Sequence, residues 1–143
     1  MRQLNKIVLV TGGFDPIHSG HISYFIEAKK LGDLLVVGLN SDDWLTRKKG
    51  RSFMPMFERS TIVSYLSMVD QVIQFNDDDD TALDAINIVK SEYEDCDIIF
   101  ANGGDRSSTN IPEMVAKDVI FRFGVGGNIK ANSSSWILEQ WKK

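Results

Sequence analysis

The sequence predicts an α/β fold, a doubly wound five-stranded parallel sheet. Two observations carry this: short apolar runs alternate with longer amphipathic ones, and polar, glycine-rich clusters follow the apolar runs. The first run, Ile7-Val8-Leu9-Val10, shows no polar alternation, as expected of a strand over 6–11 buried on both faces. A helix over 21–31 places Ile22, Phe25, Ile26 and Leu31 on one side. A second buried strand covers 34–39 and closes on Asn40-Ser41-Asp42, residue types that cap helices. Phe57, Ile62, Tyr65 and Leu66 mark a helix over 57–68, and a third strand runs from Val69 to Phe75. Asp77-Asp78-Asp79-Asp80 reads as a solvated loop whose charges favour the N-terminus of a helix over 81–93. A fourth strand over 97–101 leads into a polar loop, 102–108. A short helix begins at Pro112, a favoured first helical residue. The fifth strand runs from Val119 to Phe123, and Gly124 to Asn128 forms a glycine-rich turn. Ser133, Ser134 and Ser135 then offer N-caps for a last helix ending at Trp141.

The bulk properties narrow the partners. A chain of 143 residues is expected to form a single domain, 1–143, with a real core. Its net charge of −4 argues against a broad basic surface for nucleic acid, though a nucleotide needs only a local basic pocket. The single Cys96 excludes an intramolecular disulfide and a cysteine-based zinc cluster, and fits a reducing cytoplasm. No apolar run approaches the roughly 20 residues of a membrane span, and no N-terminal signal pattern is visible, so a cytoplasmic location is expected.

In a doubly wound sheet, ligands bind beyond the carboxyl ends of the strands. The clusters at 11–21, 40–51, 102–108 and 124–135 all follow strands, so they should converge on one edge. The first holds both histidines of the chain, His18 and His21, at a strand-to-helix junction. Backbone N–H groups at a helix N-terminus attract phosphate, and two imidazoles beside them suit a phosphoryl group gaining charge. Two other readings stand beside this one: a metal site with Asp15 as third ligand, or one capping and one packed histidine. Gly12 and Gly13 permit a tight turn and close backbone approach of a ligand, but match neither GxGxxG nor a P-loop. Arg47-Lys48-Lys49-Gly50-Arg51 reads either as a solvated basic loop or as cations for a triphosphate. Arg59 opens a helix, where the dipole disfavours a cation, so an anionic partner is expected for it.

The run Gly12-Gly13-Phe14-Asp15-Pro16-Ile17-His18-Ser19-Gly20-His21 resembles the signature of the cytidylyltransferase-like nucleotidyltransferases, whose hallmark is His-x-Gly-His. The similarity continues in order through Lys30-Leu31-Gly32-Asp33, Asn40-Ser41-Asp42, Lys49-Gly50-Arg51, Glu58-Arg59, Val69-Asp70, Gly103-Gly104-Asp105 and Ser133-Ser134-Ser135-Trp136-Ile137. Within the family it resembles the adenylyltransferase domains of ADP-heptose synthases and the glycerol-3-phosphate cytidylyltransferases.

The resemblance implies a Rossmann-like nucleotidyltransferase fold and a reaction of an NTP, CTP or ATP, with a phosphorylated sugar or polyol, releasing pyrophosphate. His18, His21 and Lys49 would be catalytic. Gly12, Gly13, Phe14, Asp15 and Gly20 would lie against the nucleotide. Asn102, Gly103, Asp105 and Arg106 would lie near base and ribose, and Ser133, Ser134 and Ser135 would meet the β- and γ-phosphates. Arg47, Arg51 and Arg59 would bind phosphate or acceptor. Mg²⁺ would arrive with the nucleotide, with no all-protein metal cage, and the assembly would be a homodimer without nucleic acid or membrane as partner. Arg51-Ser52, Asn102-Gly103-Gly104-Asp105-Arg106 and Asn128 to Ser133 depart from the relatives' patterns, which leaves base and acceptor open. The rival function is a nucleotide-binding sensor or subunit without turnover. A dehydrogenase is disfavoured because the first loop lacks the third glycine.

Overall fold

The computed structural model describes residues 5–104, 107, 110–126 and 134–142. Five strands, β1 (Lys6–Gly12), β2 (Leu34–Leu39), β3 (Gln71–Gln74), β4 (Asp97–Ala101) and β5 (Ile120–Arg122), form one sheet in the order β3-β2-β1-β4-β5. Every neighbouring pair is parallel. Among the described residues, five α-helices accompany them: α1 (Ser19–Lys29), α2 (Asp42–Lys49), α3 (Met56–Ser64), α4 (Leu83–Glu92) and α5 (Ser134–Lys142).

The unbroken apolar runs are explained by a layer on each face. Successive side chains of a strand point to opposite faces. Ile7 and Leu9 of β1 therefore join Val36, Ile98 and Phe100 in one layer, against Ala85, Ile86 and Val89 of α4. Val8 and Val10 join Leu35, Val37 and Ile99 in the other, against Phe25 and Ala28 of α1 and Val63 of α3. From central β1 the chain builds outward to β2 and β3, then crosses to β4 and β5 on the other side. The order reverses between β1 and β4, so the crevice beyond their carboxyl ends is the place such sheets offer a ligand.

Two expectations change in kind. The segment expected as a basic loop is helical: α2 carries Arg47, Lys48 and Lys49 in its last turn, Asp42 and Asp43 in its first, and ends on Gly50 at φ +91°. That charge order suits the helix dipole, and the left-handed C-cap suits glycine. With Leu45 its buried residue, α2 has no apolar stripe to betray it. The helix expected at Pro112 is a single 3-10 turn, Pro112–Val115. Elsewhere the differences are of extent: α3 ends at Ser64 rather than 68, and α1 begins at Ser19 rather than 21.

Candidate active site

The two histidines close the N-terminus of α1 on each other. His18 is the N-cap, and its Nδ1 accepts from the backbone N–H of Gly20 at 3.1 Å. His21, three residues on, turns back so that its Nδ1 accepts from the N–H of His18 at 3.2 Å. The result is a capping box built from imidazoles, with the rings stacked at 3.8 Å between centroids. A ring nitrogen that accepts carries no proton, so in both neutral imidazoles the proton sits on Nε2. Burial, then the neighbouring His18, then Lys49, push His21 down from 6.5 to about 3, so it is neutral across the physiological range. Phe14 packs edge-on to His21 at 4.9 Å and fixes the ring from the core side. Of the three readings of this pair, a metal site loses support, because both Nδ1 atoms are acceptors already in use.

Several residues assigned to the ligand serve the scaffold instead. Arg59 is 0% exposed. Its Nε donates to Met54 O at 2.8 Å, Nη1 to Gly13 O at 2.9 Å and Asn40 O at 2.8 Å, and Nη2 to Asp42 Oδ1 at 2.6 Å. The anion that compensates it near a helix start is thus Asp42, not a phosphate. Asp15, 1% exposed, uses its carboxylate to accept from the N–H groups of Phe53 at 2.7 Å and Met54 at 2.6 Å. A Cβ on Gly12 would lie 2.9 Å from the Phe14 ring, and one on Gly13 would lie 2.8 Å from Leu45 Cδ2. The absence of a Cβ at these glycines makes room for the Phe14 ring and Leu45, and the left-handed residue of the turn is Phe14, at φ +50°. Phe14 is itself buried, and the Gly20 amide is spent on His18.

Lys49 behaves differently. It reaches from the last turn of α2 to donate to Asp15 O at 2.7 Å, and burial, outweighing the help of Asp15, lowers its ammonium below the ordinary lysine value. It therefore stands at the histidine loop. Arg47, two residues earlier, turns away: Nε and Nη2 donate to Asp80 Oδ1 at 3.2 and 3.0 Å, and Nη2 to Asp77 O at 2.8 Å. Arg51 is exposed, just past the C-cap.

Across the crevice, Asn102 is buried, donates from its backbone to Arg122 O at 2.8 Å and accepts from Val125 N at 3.0 Å. Gly103 follows it, with Tyr24 3.3 Å from where a Cβ would stand. Ser134 Oγ donates to Pro16 O at 2.7 Å, which brings the start of α5 to the histidine loop. Asp105, Arg106 and Ser133 lie outside the described residues, as does the side chain of Ser135. Residue-type reasoning missed Tyr24, whose hydroxyl donates to Ala101 O at 2.6 Å, and Asp77, whose carboxylate is buried. Tyr24 had a signal: it lies one helical turn beyond His21, on a compatible face. Among the described residues no cluster of three or more His, Cys, Asp or Glu side chains could hold a metal, and no helix is long and apolar enough to cross a membrane.

A 3-2-1-4-5 parallel sheet with a histidine-capped helix at its switch point defines a Rossmann-like α/β fold. The chain belongs to the cytidylyltransferase-like family, whose model matches residues 9–119. It is 36% identical over 146 residues to the bifunctional protein HldE of Campylobacter jejuni, covering 99% of this chain and 29% of that protein. It is 34% identical over 139 residues to HldE of a Nitratiruptor species, covering 96% and 28%. The chain thus spans less than a third of the length of these relatives. Among solved structures, a lipopolysaccharide core biosynthesis protein from Thermoplasma volcanium superimposes with a TM-score of 0.60 at 29% identity, over 84% of this chain and 96% of that one. A bifunctional NMN adenylyltransferase/ADP ribose pyrophosphatase from Francisella tularensis shares the fold at a TM-score of 0.64 and 12% identity, over 98% of this chain and 43% of that one.

Proposed function

We propose that this chain transfers a nucleotidyl group from CTP or ATP to a phosphorylated sugar or polyol. An oxygen of the acceptor phosphate bonds to the α-phosphorus, the bond from that phosphorus to the bridging oxygen breaks, and pyrophosphate leaves. The observation that carries the reading is the imidazole capping box. It commits both Nδ1 atoms to the backbone and leaves both protons on Nε2, so each ring is a fixed neutral donor beside a helix N-terminus. Donors fixed in advance strengthen as negative charge gathers on the α-phosphoryl oxygens and need no reorganisation at that moment. Lys49, tethered to Asp15 O, supplies the positive charge that phosphoryl transfer requires.

Magnesium would travel with the triphosphate, held by phosphate oxygens. The residues present do not suit a protein-held ion: the Asp15 carboxylate faces the Phe53 and Met54 amides, and the histidines present N–H groups rather than lone pairs.

The test is pyrophosphate release with CTP, ATP, UTP or GTP, Mg²⁺ and a panel of sugar and polyol phosphates. Release with one nucleotide and one acceptor class supports the reading and identifies both. A nucleotide that raises the melting temperature by mass action while no acceptor yields pyrophosphate would replace it with the non-catalytic alternative.

A further inference from the structure

The aspartate run between β3 and α4 is not a uniform solvated loop. We infer that it is a strap holding α2 at both ends, and that Asp77 is thereby a positioning residue for Lys49. At the N-terminal end, Asp77 Oδ2 accepts from Asn40 Nδ2 at 3.0 Å and Ser41 N at 2.8 Å, and Oδ1 accepts from Ser41 Oγ at 2.7 Å. Ser41 is the N-cap of α2, and the same Oγ accepts from Trp44 N at 3.0 Å. At the C-terminal end, Asp80 holds Arg47, which also donates to the backbone of Asp77.

The strap has work to do because α2 cannot place itself. Eight residues are too few for an independent helix, and the buried residue of α2 is Leu45. The Asp77 carboxylate is 2% exposed. Burial pushes it up, but the Ser41 amide, the Asn40 and Ser41 side chains and Arg47 together outweigh burial and hold it below the usual carboxylate range. It is therefore a buried anion whose donors come from the root of α2. The two ends also sort the cations: Arg47 is drawn to Asp80, while Lys49 is left at Asp15 O, close enough to His21 to depress it. The two middle aspartates take no such part. The amide of Asp78 donates to Asn76 Oδ1, and Asp79 accepts from Thr81. Asp78→Asn thus removes the same charge as an internal control.

The consequence for catalysis rests on the proposed transfer reaction; the placement of Lys49 does not, and is read without it. In folded protein, the pH dependence of acylation of the Lys49 amine, followed by mass spectrometry with Lys48 as internal reference, gives the basicity of each. Asp77→Asn should return Lys49 towards an ordinary lysine and raise its labelling protection at neutral pH, while Asp78→Asn leaves it unchanged. A folded Asp77→Asn protein with wild-type Lys49 reactivity overturns the strap. If Asp77→Asn does not fold, Ser41→Ala keeps the carboxylate and cuts its link to the helix cap, and the same two outcomes apply. In the pyrophosphate assay, Asp77→Asn should lower kcat/KM about tenfold but cost less than about twofold more once Lys49 is already alanine, the non-additivity of a shared path. Equal costs in both backgrounds would show that Asp77 acts elsewhere. Absence of turnover in the wild-type chain would remove the catalytic reading and leave the labelling result to decide the strap.

Discussion

The histidine loop and α2 face one crevice but are held there by different means. His18 and His21 are fixed by bonds spanning two or three residues, and the stacked rings belong to the same turn. The helix that delivers Lys49 is fixed from far along the chain. Asp77 and Asp80 reach it and its N-cap across 30 to 36 residues, and Arg59 reaches Asp42 across 17. The donor side of the site is thus encoded locally, and the cation side is encoded in the tertiary fold. Damage to the scaffold should therefore spread to the cation side first, while damage to the histidines should stay in the chemistry.

The largest expected effect attacks the distant tethers. Arg59→Ala leaves three carbonyls without its N–H donors and the half-exposed Asp42 without its cation, which should cost about 3–5 kcal/mol of stability in urea unfolding, most of it from the carbonyls. Arg59→Lys should recover little, because one ammonium cannot span the fork of four acceptors. An Arg59→Ala protein as stable as wild type would show that α2 and its neighbours hold without it.

Next comes the local side. His21→Ala should lower kcat by about 100-fold or more, as loss of a preorganised donor does elsewhere. His21→Asn sharpens the comparison: its amide oxygen can stand where Nδ1 accepts from His18 N, so the cap survives while the Nε2 donor is lost. Slow turnover with a wild-type melting temperature is the expected pair of results. Near-normal turnover in either variant would remove His21 from the chemistry.

The pH dependence of stability has a definite sign. His21 titrates at 6.5 when unfolded and at about 3 when folded, so between these values the unfolded chain binds a proton that the folded chain refuses. Stability from this group is intact above about pH 7 and is lost as pH falls through 6.5 towards 3, by at most about 1.4 kcal/mol per pH unit. Asp77, lowered below its usual range, adds to the loss at lower pH. Denaturant titrations at pH 5 and 7.5 should show the drop, and His21→Asn should flatten the part above the carboxylate range. An equal slope in wild type and variant would contradict the burial argument.

The smallest effect tests the far wall. Tyr24→Phe removes the hydroxyl that bonds Ala101 O and should cost about 1 kcal/mol, read as a shift of the urea midpoint. A midpoint unchanged within error would mean that the ring alone braces the wall.

The same local and distant division governs what was legible in the sequence. The five strands could be read because a central parallel strand is apolar on both faces, as Ile7 to Val10 are. The histidine pair could be placed because its partners are its own neighbours. The helical nature of Arg47 to Lys49 could not, since a single buried Leu45 makes no stripe. Nor could the role of Arg59, whose position beside a helix start suggested an anion; that the anion is Asp42 depends on how α2 and α3 meet. Four consecutive aspartates look alike in a sequence, yet Asp77 is buried while Asp78, Asp79 and Asp80 are exposed.

Tyr24 carries a consequence of its own. It sits one turn beyond His21 and hangs from Ala101 O. Its ring stands 3.3 Å from where a Cβ on Gly103 would be, and its Cα 3.0 Å from one on Gly126. The histidine helix and the 102–104 and 124–126 backbones thus meet at one residue, and a side chain added at Gly103 or Gly126 would press on α1.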